Sequence, residues 1–167
     1  MLVPKPSSAS SPSALASKRE IYRELTAQLA AVFAGESDGL ANAANMAALY
    51  FDALPELNWF GFYFLRGAEL VLGPFQGKVA CVRIALGRGV CGTAAADART
   101  LVVPDVAEFP GHIACDAGSR SEIVVPIVRA GRVVAVLDVD SYELAAFDAI
   151  DADHLGEVAR LVASLAW

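Results

Sequence analysis

Two spacings of apolar residues divide this chain. Ile21, Tyr22, Leu25, Leu29, Val32 and Phe33 recur every three or four positions, the period that lines one face of a helix, and Gly35 ends the run. Leu40, Ala44, Ala47, Tyr50 and Phe51 repeat it over residues 38–53. From Asn58 the period falls to two. Strands are predicted over 59–65, 69–73 and 79–84, the first pair joined by a turn at Arg66-Gly67. Residues 87–96 read as a loop entering a short helix, 100–103 as a strand stopped by Pro104, and 104–120 as a long connection. Residues 122–128 and 132–140 form a hairpin, and 148–165 a closing amphipathic helix capped by Asp148. The sequence Ser17-Lys-Arg-Glu20 has the form of a capping box, so order is expected from Ser17. Residues 1–16, rich in Ser, Pro and Ala, read as a disordered tail or, alternatively, an organellar address. They precede a single domain of 17–167.

The hairpin permits a deduction about chemistry. With a three-residue loop Arg129-Ala130-Gly131, Val128 pairs with Arg132 and Glu122 faces Asp138. Side chains alternate along a strand, so Glu122, Asp138 and Asp140 then share one face with Val124, Pro126, Val134 and Val136. A two-residue loop would send Glu122 to the other face. That other face carries Ile123, Val125, Ile127, Val133, Ala135 and Leu137, so both sides of the hairpin are apolar. Helices should cover one side and loops the other.

Composition narrows the setting. Of 167 residues, 56% are hydrophobic and 19% charged, enough apolar surface for one compact core and too short a chain for two ordinary domains. The balance of 13 basic against 19 acidic residues, net −6, argues against binding a phosphate backbone, which calls for a basic face. No apolar run reaches a membrane span, and the first residues lack a secretory apolar region, so a cytoplasmic protein is expected. Three cysteines, an odd number, cannot form a paired framework. All three, Cys81, Cys91 and Cys115, fall in one stretch.

Each candidate site has a plainer rival. Gly87-Arg-Gly-Val-Cys-Gly92 satisfies a dinucleotide-binding pattern, but too few residues follow it for a parallel crossover helix. A tight bend bringing Cys91 close to a neighbour is the better reading. Cys81, Cys91, His112 and Cys115 could make a zinc set, although the spacing is wrong for two close pairs. Cys81 reads as a buried residue of a strand. Cys115, in a segment hard to justify by packing and near His112 and Arg120, reads as a redox thiol with partners. Trp59, Gly61 and Tyr63 share a strand face, where core packing competes with an aromatic-walled slot notched at Gly61.

Taken together, Trp59-Phe-Gly-Phe-Tyr63, Leu72-Gly-Pro-Phe-Gln-Gly77, Gly87-Arg-Gly-Val-Cys-Gly92, Phe109-Pro-Gly-His-Ile-Ala-Cys-Asp116, Ser119-Arg-Ser-Glu-Ile-Val-Val-Pro126 and Leu137-Asp-Val-Asp-Ser141 resemble the free methionine-R-sulfoxide reductases in order and spacing. The resemblance covers residues 18–165. It implies an α+β fold, a single GAF domain whose central antiparallel sheet carries the terminal helices on one face and a loop-covered ligand pocket on the other. It implies reduction of free methionine-(R)-S-oxide, with Cys115 as catalytic cysteine, Cys81 as resolving cysteine and Cys91 as auxiliary. Glu122, Asp138 and Asp140 would be the pocket acids, and Trp59 and Tyr63 the aromatic contacts. Glu122 and Asp140 are assigned to the sulfoxide oxygen and Asp138 to the substrate ammonium. The expected cycle passes through a sulfenic acid and an intramolecular disulfide recycled by thioredoxin, with no metal or cofactor, in a homodimer. The alternative is a non-catalytic GAF module that binds a small molecule or senses redox state.

Overall fold

The computed structural model describes residues 12–113 and 115–165. Two helices come first, α1 (Pro12–Phe33) and α2 (Gly39–Ala53), followed by strands β1 (Leu57–Arg66), β2 (Glu69–Gly77) and β3 (Arg83–Ala85). Helix α3 (Gly89–Asp97) leads to β4 (Leu101–Val103) and a single 3-10 turn (Val106–Glu108). The hairpin β5 (Ser121–Arg129) and β6 (Arg132–Ser141) and helix α4 (Ala149–Ala163) complete the chain. All six strands form one antiparallel sheet in the order β3-β2-β1-β6-β5-β4.

Helix α1 begins at Pro12, so Ser17 lies inside it rather than at its start. Residues 12–16 are helical rather than tail, and the rest of the expected tail lies outside the described residues. Asp38 caps α2 by accepting from the Ala41 amide, and Asp148 caps α4 in a capping box with Asp151. The buried stripe of α2 runs through Asn42, Ala43, Met46, Ala47 and Tyr50, while Leu40 is exposed. Ile21 and Val32 are likewise turned outward from α1. A run of mostly apolar residues leaves the helix face underdetermined, and contact with the sheet decides it.

Alternation along β1 splits the core in two. Phe60, Phe62 and Phe64 point to the layer formed by α1, α2 and α4, while Trp59 and Tyr63 point to the opposite layer with α3 and the loops. The strand predicted over 79–84 survives only as β3. Residues 79–82 belong to no strand, so Cys81 sits in a loop rather than in a buried strand.

The hairpin departs from its expected turn and still delivers the expected face. Its loop is the two-residue Ala130-Gly131, both at positive φ, the geometry of a type I′ turn. That loop alone would turn Glu122 away from Asp138 and Asp140. A bulge follows at once, because Val128 pairs with Val133 but Ile127 pairs with Ala135, leaving Val134 as the extra residue. Beyond it the alternation is restored, and Glu122 pairs with Asp140 rather than with Asp138. Val133 and Val134 accordingly exchange the faces expected of them.

Candidate active site

Register places the site at one end of the three central strands. Trp59, Asp140 and Glu122 form a row across β1, β6 and β5, and Gly61, Asp138 and Val124 form the next row on the same face. Above these rows lies a small cleft, partly open to solvent. It is floored by the three acids with Trp59 and Tyr63. Its roof comes from the start of α3 (Arg88, Gly89, Val90, Cys91) and the loop carrying His112, Ile113, Cys115 and Asp116. Cys115, the three acids, both aromatics and Cys91 therefore line one cavity.

Cys115 is joined to Cys81 by a disulfide across 34 residues of sequence, with their Cα atoms 5.6 Å apart. This pairing removes the four-ligand zinc set. Cys81 is not itself among the residues lining the cleft. Cys91 is free and buried, and its thiol points to Glu122 Oε1 at 3.9 Å. The glycines on either side of it allow this approach. Gly87 and Gly89 hold positive φ, and a Cβ at Gly92 would meet the Ala85 carbonyl oxygen at 2.3 Å. With every strand pair antiparallel, the dinucleotide reading of this segment fails.

The acids share one electrostatic problem. Burial, reinforced by the Asp140 charge, pushes the Glu122 carboxyl well above the ordinary carboxylate range. Asp138 rises through burial and then its proximity to Glu122, and Asp140 through burial and then Asp138. The Cys91 thiol is raised for the same reasons, burial first and the neighbouring acids next, so it is a poor thiolate. Ligand atoms of Cys91, Glu122 and Asp138 lie within 4.8 Å of one another, the one such potential metal-ligand group among the described residues. Asp138 Oδ1 is buried without a hydrogen-bond partner, an acceptor left for something in the cleft.

The aromatic wall is fuller than the sequence suggested. Trp59 stacks on Tyr63 and on Phe75, and a Cβ at Gly61 would meet Phe75 Cβ at 2.4 Å and Trp59 Cη2 at 2.6 Å. Gly61 is therefore the space into which those rings close, not an open notch. His112 stands beside Glu122, Nε2 to Oε2 3.6 Å, and burial lowers its pKa, so it belongs to the acid cluster as a neutral ring. Arg120, expected to support the Cys115 thiolate, is exposed and does not line the cleft.

A clamp on the roof loop was not foreseen. Asp116 accepts from the Gly118 amide, Tyr142 Oη and Lys78 Nζ, and these contacts, the amide first, hold its carboxyl below the usual range. The Asp116-Ala-Gly118 sequence, which favours an Asx turn, was the available signal.

Six antiparallel strands with three helices on one face and a loop-roofed cleft on the other define a GAF domain, and the GAF domain family model matches residues 19–165. The chain is 50% identical over 148 residues to the free methionine-R-sulfoxide reductase of Escherichia coli, covering 89% of this chain and 88% of that one. The X-ray structure of free methionine-R-sulfoxide reductase from Neisseria meningitidis in complex with its substrate matches with a TM-score of 0.84 at 46% identity. It covers 98% of this chain and 94% of that one. A putative GAF sensor protein from Burkholderia vietnamiensis gives a TM-score of 0.86 at 55% identity, covering 90% and 96%. This chain belongs to the free methionine-R-sulfoxide reductase family of GAF domains, a family of oxidoreductases.

Proposed function

We propose that the protein reduces free methionine-(R)-S-oxide to methionine with Cys115 as nucleophile, Glu122 as proton donor and Cys81 as resolving cysteine. The observation that carries this reading is the convergence on one cleft of Cys115 and a cluster of buried acids whose pKa values are raised by burial and by one another. A sulfoxide sulfur accepts a thiolate only as its oxygen gains a proton, so an acid that holds its proton near neutrality is the requirement. Burial beside like charges meets it without a cofactor. Glu122 and Asp140 face the oxygen in this assignment. Asp138, with its unpartnered Oδ1, takes the substrate ammonium. The first turn of α3, whose N-cap Arg88 supplies no side-chain cap, opens on the same cleft and suits the substrate carboxylate.

Attack by the Cys115 thiolate transfers oxygen to sulfur, releases methionine and leaves Cys115 as a sulfenic acid. The Cys81 thiol then attacks that sulfur, a disulfide forms, and water leaves. The Cys81–Cys115 bond is compatible with this end state. Exchange with thioredoxin restores both thiols, which places the cycle in a reducing compartment such as the cytoplasm. A homodimer is part of the same reading, on family grounds.

The test is a thioredoxin-coupled assay on both epimers of methionine sulfoxide, free and peptide-bound. Turnover of the free R epimer alone is expected. Absence of methionine release from that substrate overturns the reading and returns the chain to a ligand-binding or redox-sensing module.

A further inference from the structure

The disulfide joins two segments that lie outside the sheet. Residues 79–82 belong to no strand, and Cys115 lies in the long connection between β4 and β5. A second, non-covalent tie joins the same segments beside it. Lys78, three residues before Cys81, pairs with Asp116, the residue after Cys115, with Nζ 3.1 Å from Oδ2. Tyr142 Oη donates to the same carboxylate oxygen at 3.0 Å, and the Gly118 amide donates to the other at 2.9 Å. The Lys78 ammonium also lies over the Tyr142 ring, 5.4 Å from its centroid. Both side chains that grip Asp116 are anchored to the sheet. Tyr142 directly follows β6, while Lys78 directly follows β2 and its carbonyl accepts from Nε1 of the buried Trp59 at 3.1 Å. The turn after Asp116 lies flat against the tyrosine, since a Cβ at Gly118 would meet Tyr142 Cε1 at 2.8 Å. An ion pair to a lysine that is 65% exposed contributes little alone. Three donors converging on a carboxylate that is 13% exposed make a stronger hold.

We propose that Lys78, Asp116 and Tyr142 form a clasp that keeps the Cys81 and Cys115 segments in register while the disulfide is open, and so sets how fast and how firmly it closes. The inference rests on the reductase reading above for the order of events. In that order Cys115 is oxidised in the cleft, and Cys81, which does not line the cleft, has to reach it. The Cys81 thiolate attacks the Cys115 sulfenic sulfur, the S–S bond forms and the S–O bond breaks. The oxygen leaves with the bonding pair and takes up the proton that Cys81 released, giving water. Two groups 34 residues apart in sequence meet at a rate set by their effective concentration. A tie one residue from one sulfur and three from the other keeps that concentration high. The coupling is reciprocal, so whatever holds the two thiols together also stabilises the bond between them. Lys78 and Tyr142 do not line the cleft, and they act as positioning residues.

Two measurements on the full chain test this. In the first, the reduced chain meets excess free methionine-(R)-S-oxide with no reductant. Rapid quench follows methionine release, and mass spectrometry follows the disulfide and the sulfenic acid trapped with dimedone. Lys78→Met combined with Tyr142→Phe is expected to release methionine at the parental rate, to close the disulfide at least about threefold more slowly, and to accumulate sulfenic acid. Lys78→Arg, which keeps the cation, is expected to behave as the parent. Closure of the double variant at the parental rate overturns the clasp. So does an equal slowing of release and closure, which makes these residues supports of the cleft instead. Should the double variant fail to fold, Tyr142→Phe, which loses one hydroxyl and keeps the ring, serves with the same expectations. The second measurement needs no substrate. Equilibrated against glutathione, the double variant should form its disulfide with an equilibrium constant at least about threefold lower, a rise in reduction potential of about 14 mV. An unchanged constant overturns the clasp. If the unaltered chain releases no methionine while this constant still shifts, the reductase reading falls and the clasp stands.

Discussion

A carboxyl that gives up a proton near neutrality has to be kept from ionising, and at Glu122 burial and the Asp140 charge both do so. Because the active form is the protonated one, the rate should fall as pH rises through the elevated Glu122 pKa. Glu122→Gln should lower the single-turnover rate by about a hundredfold or more, the low end of what positioned acids contribute, and remove that descending limb. A pH series of rapid-quench measurements reads both, and an unchanged profile assigns the proton to another group. At the cysteines the expectations separate cleanly. Cys115→Ser should release no methionine even in one turnover. Cys81→Ser should release one equivalent and then stall, as end-point methionine analysis under limiting reductant would show. Cys91, raised by burial and the acids, is not expected to replace either.

Among the elements, the β5–β6 hairpin shows what alternation can and cannot disclose. That Asp138 and Asp140 share a face was legible, because parity along a strand is fixed by the backbone, while Glu122, on the other strand, joins them only through the register of the hairpin. How that register arises was not. The two-residue turn and the bulge at Val134 change parity twice, and no residue type in Arg132-Val-Val-Ala135 marks the extra one. Cys81 was misplaced in a strand because Val79, Val82 and Ile84 have strand composition, although only β3 finds a partner in the sheet. The face of α2 was unreadable for a related reason, since Ala and Leu occur all around it. The cap at Asp148 was correctly placed, being local chemistry, whereas the cap at Asp38 was not singled out. The α1–α4 contact contains buried polar groups no periodicity announces: Tyr22 Oη donates to Asp151, which also binds Lys18, while His154 stacks on Tyr22 and bonds Tyr50 Oη. Tyr22→Phe should cost about 1–3 kcal/mol, the cost of leaving a buried group unpaired, and leave kcat unchanged. Denaturant unfolding with parallel kinetics checks it. Gly61→Ala should do the reverse of a neutral change, forcing Trp59 and Phe75 apart and raising KM along with a loss of about 1–3 kcal/mol.

Across the whole molecule, the two buried titrating centres pull stability in opposite directions with pH. His154 has its pKa lowered by burial to about 4, from an ordinary 6.5, so its contribution is present above pH 6.5 and is lost as pH falls through 4. The raised acids of the cleft do the opposite. The folded chain keeps protons that the unfolded chain has released, so these groups weaken the fold at neutral pH and the penalty fades toward pH 4. Glu122→Gln should therefore raise Tm at pH 7 by about 2 °C or more, the shift that 1 kcal/mol gives a chain of this size, with the gain shrinking near pH 4. Scanning calorimetry at the two pH values decides the matter. The bond between Cys81 and Cys115 has a mechanical consequence as well. By closing 34 residues of chain it restrains the denatured ensemble by about 3–4 kcal/mol on the loop-entropy account. In the proposed cycle the oxidised chain would therefore resist unfolding better than the reduced one, so that each round of reduction lowers the stability of the very molecule it readies for substrate.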